Sequence, residues 1–188
     1  MTLPAEWSAI CAARDLPAAL VAHFAPVLAT TPENAAVLAR LCARATAARL
    51  DTSHEDQIYH SLVIDLGTDR LRCSRPDVPD ASLPPSFARI LGLHGRLTLV
   101  DAQVDLFYET YVEEEGWLDG TDLEGRGVFA PLRVYADLYI YHPDRKTPIG
   151  EPQLCFLDHV MAEEDGPQPV EGDLATVFLR HVASSLEL

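Results

Sequence analysis

The hydrophobic pattern of this chain changes period twice, and that restricts its fold more than any single motif does. "DLPAALVAHFAPVL" puts Leu16, Leu20, His23, Phe24, Val27 and Leu28 on one helical stripe, with Asp15 as N-cap and Pro17 in the first turn. "TPENAAVLARLCARATAARL" repeats it through Val37, Leu38, Leu41, Cys42 and Ala45, capped by Thr31 and opened by Pro32. A helical hairpin is expected, with the first 50 residues mostly helical. From Ile58 the pattern alternates instead: Ile58, His60, Leu62 and Ile64 share one face, and a "GTD" turn leads to a short strand through Leu71 and Cys73.

A proline-rich loop, "SRPDVPDASLPP", follows and marks the expected border between two parts. Residues 1–80 are read as an N-terminal helical extension with a possible strand pair, and 81–188 as an α+β module packed with it into one unit. In the second part "LPPSFARILGLHG" is a helix pointing Phe87, Ile90 and Leu91 inward, stopped by Gly95. Strands are expected at "RLTLV", "VDLFYE", "RVYADLYIYH" and "PQLCFLDH". In the third of these, Val134, Ala136, Leu138 and Ile140 alternate with Tyr135, Asp137, Tyr139 and Tyr141. "DLATVFLRHVASSLEL" closes the chain as a helix with Leu174, Val177, Phe178, His181 and Val182 inside and Asp173 at its cap. Helices, then short strands, then a helix describe an α+β fold: a mixed, mainly antiparallel twisted sheet with helices packed on it.

Composition narrows the setting. No apolar run approaches the roughly 18–20 residues that span a bilayer, and the N-terminus lacks the pattern of a signal peptide, so a cytoplasmic protein is expected. Cys11, Cys42, Cys73 and Cys155 are scattered without a CxxC pair, as for reduced structural thiols.

The densest group of chemically capable side chains lies at 140–160, "IYHPDRKTPIGEPQLCFLDHV", with His142, Asp144, Glu151, Cys155, Asp158 and His159. Its spacing argues for scaffold. Pro143-Asp144 and Pro148-Ile149-Gly150 are turn chemistry, with Gly150 supplying a positive φ. On one strand Cys155 and His159 lie about 13 Å apart, too far to share a metal ion. Asp158 and His159 are neighbours and point to opposite faces. Ser86, at a helix start, is expected to serve the backbone, and no nucleophile elbow, phosphate loop or dinucleotide fingerprint occurs. No catalytic residue, metal or cofactor is assigned. The alternative is a hydrolase-like enzyme using His142 and His159.

Charge separates the halves. Residues 1–100 carry 10 acidic and 9 basic side chains; residues 101–188 carry 19 acidic and 5 basic, a net charge of −14 out of −15. Such a surface repels nucleic acid and anionic membranes and attracts a basic protein partner. Candidate contacts are Glu113, Glu114, Glu115, Asp119, Asp122 and Glu124, with Trp117 as an aromatic anchor, and a second cluster at Glu163, Glu164 and Asp165. The alternative for both clusters is a solvated loop.

"LPPSF" at Leu83–Phe87, the strand Asp137–Tyr141, the Gly150–Pro152 turn, His159 and "LATVFLRHV" at 174–182 together resemble the SUKH superfamily over about residues 83–182. That family includes bacterial toxin-immunity proteins and yeast cell-wall regulators. The resemblance implies a twisted sheet with helices on it that grips a protein partner, without catalysis. On that basis the expected function is an immunity protein that neutralises a basic, nuclease-type bacterial toxin, or else a regulatory interaction domain unrelated to toxins. The strand bearing Asp137, Tyr139 and Tyr141 is the expected platform.

Overall fold

The computed structural model describes residues 3–56, 59–77, 83–109, 118–119, 121, 123–126, 128–158 and 166–188. Among these are five helices: α1 (Ala5–Cys11), α2 (Leu16–Leu28), α3 (Pro32–Ala43), α4 (Pro85–Leu93) and α5 (Leu174–Ser185). The strands are β1 (Ala47–Asp51), β2 (Ser61–Asp65), β3 (Arg70–Ser74), β4 (Arg96–Leu99) and β5 (Val104–Glu109). They continue with β6 (Ala130–Val134), β7 (Asp137–Lys146), β8 (Pro152–Leu157) and β9 (Gln168–Pro169). The fold is α+β, and the nine strands form one sheet in chain order with every neighbouring pair antiparallel.

Register explains why the sheet holds. Leu50, Leu62, Cys73, Leu97, Leu106, Leu132, Tyr139 and Phe156 stand opposite one another in succession, an apolar row from β1 to β8. Directly opposed side chains share a face, so this row is one continuous surface for helices to cover. Trp7, Leu20, Phe24, Leu28, Leu38, Leu41, Phe87, Phe178 and Val182 pack on it in a single core. The core and the sheet each contain residues from both sides of the expected border, joining β1–β3 to the later strands. On the opposite face Arg72, Thr98, Asp105 and Arg133 form a polar row. Farther along, Leu138, Ile140, Cys155 and Leu157 pack against Leu118, Leu123 and Val128 in a second, smaller core.

The helices start where their caps direct. Asp15 accepts the Ala18 amide at 3.0 Å, Thr31 the Asn34 amide at 3.1 Å, and Asp173 the Thr176 amide at 2.8 Å. Asn34, buried at the start of α3, donates to Thr30 at 2.7 Å and to Thr176 at 2.9 Å, which fixes α3 against α5.

Three local expectations are corrected. The helix expected to run through Ala45 ends at Ala43, and Ala47–Asp51 is a strand. There the open edge of β2 provides ladder hydrogen bonds and a place for Leu50 in the apolar row, which outweighs alanine's helical preference. The mostly helical first 50 residues hold three helices and not the hairpin's two, because a short α1 carrying Trp7 and Ile10 precedes it. Finally, "RVYADLYIYH" is not one strand. Tyr135 and Ala136 turn the chain, with Tyr135 at φ 55° and Val134 paired to Asp137. The turn reverses parity, so Val134 shares a face with Tyr139 and Tyr141, and Leu138 and Ile140 face the second core. Tyr139 and Tyr141 are therefore buried core residues and not an exposed platform. The His181 ring and the Tyr139 hydroxyl share a hydrogen bond of 2.7 Å beneath α5.

Candidate functional site: an acidic pocket at two helix N-termini

The β7–β8 hairpin brings three distant parts of the chain together. Its turn is closed by the Thr147 amide on the Glu151 carbonyl at 2.8 Å and the Gly150 amide on the Thr147 carbonyl at 2.9 Å. Gly150 has φ +84°, the left-handed conformation expected of it. Beside this turn lies a cavity of about 470 Å³, bounded by the hairpin, the start of α4 at Ser86 and the start of α5 at Gly172–Leu174.

At one end of the cavity, α4 begins after Pro84, which has no side chain to cap it. Glu151, 65 residues away, takes that role: its carboxylate accepts the Ser86 amide at 3.2 Å and the Ser86 hydroxyl at 2.7 Å. Ser86 was expected to serve the backbone, but its hydroxyl proton goes to Glu151. At the other end Asp173 caps α5, accepting the Thr176 hydroxyl at 2.6 Å besides its amide. Both helix N-termini, which favour negative charge, are thus met by internal carboxylates.

Tyr141 also lines the cavity. Its ring packs against Phe129 and Phe87, it is only 6% exposed, and among the described residues its hydroxyl has no partner at full hydrogen-bond geometry, with the Ser86 hydroxyl nearby. Burial pushes this phenol up, the adjacent Ser86 hydroxyl draws it down, and the Glu151 and Asp173 carboxylates push it up further. Glu171 is an exposed third carboxylate on the lining, Pro148, Pro152, Leu154 and Val170 give apolar walls, and Ile149 is 82% exposed. Among the described residues, no Lys, Arg or His lines the cavity.

The residues expected from sequence distribute differently. Asp119 and Glu124 are exposed on a segment anchored by Leu118 and Leu123 in the second core. Glu113, Glu114, Glu115, Trp117, Asp122, Glu163, Glu164 and Asp165 lie outside the described residues, as does His159. His142 is buried, and its Nδ1 accepts the amides of Asp144 and Arg145, each at 3.2 Å, so this ring atom serves its own strand. Asp144 is exposed and pairs with Arg126 through two oxygens, which holds its carboxyl below the usual carboxylate range. Cys155 is fully buried and Asp158 half-buried.

Sequence reading placed Tyr141 on the expected platform and not in a pocket, gave Asp173 only a capping role, and did not single out Glu171. One signal pointed toward Glu151: a helix opening on Leu-Pro-Pro carries no cap of its own, so another segment must provide one. A second buried polar group joins α2 to α4. His94 Nε2 lies 2.8 Å from His23 Nε2, and His94 Nδ1 lies 3.1 Å from the Ser74 carbonyl. Among the described residues no three side chains of metal-ligating type converge, and no helix is long and apolar enough to cross a membrane. Compared with protein-family models, curated proteins and solved structures, the chain matches none of them.

Proposed function

We propose that this chain is a non-enzymatic protein-binding module, an immunity protein that neutralises a basic, nuclease-type bacterial toxin. The observation that carries the reading is the charge partition, 19 acidic against 5 basic side chains in residues 101–188. A nuclease must be basic where it holds phosphates, and an inhibitor rich in carboxylates complements that surface and is steered to it. Exposed Asp119, Glu124 and Glu171 are consistent with this role, as is a cavity whose described lining holds carboxylates and no basic side chain. The resemblance to the SUKH superfamily at Leu83–Phe87 and 174–182 adds to it.

The test begins with the partner that the full chain retains from native lysate at low salt and releases at high salt. Replacing Glu113, Glu114 and Glu115 by Lys is expected to slow association with that partner and flatten its salt dependence while leaving the unfolding transition in place. An unchanged association rate contradicts the reading.

A further inference from the structure

We infer that the cavity between the β7–β8 hairpin and the starts of α4 and α5 receives an arginine side chain presented by the basic protein partner. The inference rests on the protein-binding reading above and names the chemistry of one contact within it.

Four features point to a cation with several donors. Glu151, Glu171 and Asp173 line one cavity of about 470 Å³ that, among the described residues, no basic side chain lines. Tyr141, only 6% exposed, lines the same cavity, and among the described residues its hydroxyl has no partner at full hydrogen-bond geometry, with only the Ser86 hydroxyl nearby. A buried polar atom in that state is unfavourable, and a ligand donor relieves it. The walls of Pro148, Pro152, Leu154 and Val170 suit an aliphatic stem, and Ile149 stands 82% exposed for the partner's backbone to cover.

Other occupants fit less well. Two helix N-termini alone would suit an anion, but Glu151 and Asp173 already answer them, so an anion would enter among carboxylates. A metal ion needs ligands that converge, and among the described residues none do so in threes. A guanidinium spans separated acceptors with its five donors and is more weakly hydrated than an ammonium.

The test is a titration of the ¹⁵N-labelled full chain, followed by amide chemical shifts, with N-acetyl-arginine amide, its neutral isostere N-acetyl-citrulline amide, and free arginine. Saturable shifts at Ile149, Gly150, Gly172 and Leu174 are expected with the blocked arginine, and binding of the citrulline compound weaker by about tenfold or more. Tyr141→Phe and Glu171→Gln, which leave both helix caps intact, should each weaken binding by roughly three- to tenfold. No saturable shift at these amides, equal binding of citrulline, or insensitivity to both variants overturns the inference. Free arginine binding about tenfold tighter than the blocked form overturns it in favour of a free small molecule. The broader reading fails separately, in the association-rate experiment on Glu113–Glu115, which substitutes none of the residues named in the pocket lining.

Discussion

Acid should unfold this protein partly through one imidazole. His94 is fully buried between α2 and the sheet, its ring stacked on Trp7 at 5.7 Å and tilted against Phe24 at 5.5 Å. The Ser74 carbonyl only accepts, so His94 Nδ1 carries the proton, Nε2 is bare, and His23 Nε2 donates to it. A second proton on His94 would set two donors face to face at 2.8 Å. Burial, opposed by the Ser74 carbonyl and aided by the charge of His23, pushes His94 down to about 3. The unfolded ring titrates near 6.5, so below that pH the unfolded chain binds a proton that the folded chain refuses. The contribution of His94 to stability is therefore constant above about pH 6.5 and falls with acid down to about pH 3. At pH 5 the loss is about 1.5 pH units at about 1.36 kcal/mol each, roughly 2 kcal/mol. Burial also lowers His23 and His181, which adds in the same direction. Urea unfolding at pH 7.5 and pH 5.0, in wild type and in His94→Asn, isolates the effect, because all other carboxylates and imidazoles are common to both. The wild type is expected to lose about 2 kcal/mol more than the variant between the two pH values. Equal losses would refute the neutral, buried imidazole.

Further outcomes follow from the pocket and the turns. Glu151→Ala should cost about 1–2 kcal/mol in urea unfolding and lower hydrogen-exchange protection in the first turn of α4. A double-mutant cycle with Ser86→Ala should show coupling of about 1 kcal/mol. Gly172 has φ +95°, and a Cβ there would meet the Thr176 side chain at 2.8 Å, so Gly172→Ala should destabilise by about 1–3 kcal/mol. Tyr135, 61% exposed at φ 55°, sits in the two-residue β6–β7 turn, and Tyr135→Asn should raise thermal stability by roughly 0.5–1 kcal/mol. Burial pushes the Cys42 thiol up to about 12 and raises Cys73 as well, and Cys155 is buried, so a thiol reagent should label Cys11 alone in the native protein and all four cysteines in urea.

What was legible in the sequence was what is local. Asp15, Thr31 and Asp173 cap their helices because the receiving amides lie three residues away, and Gly150 takes a positive φ because the turn around it demands one. The change of period announced the α+β class for the same reason. What escaped depends on distant partners. β1 exists because β2 offers an edge, and no pattern within "ATAARL" records that edge. The Tyr135–Ala136 turn lacks the Asn-Gly chemistry of such hairpins, so the alternation ran through it and placed Tyr139 and Tyr141 on the wrong face. The pocket joins Ser86, Tyr141, Glu151 and Asp173 from four segments, and only the fold brings them together.

The proposed function requires that the anionic residues 101–188 attract a basic protein. Its most direct test is the association rate constant of the wild-type chain with its lysate-derived partner, measured from about 50 mM to about 500 mM salt. A fall of at least about tenfold across that range is expected, since long-range attraction is screened as the Debye length shrinks. A rate constant that stays level across the range would contradict it.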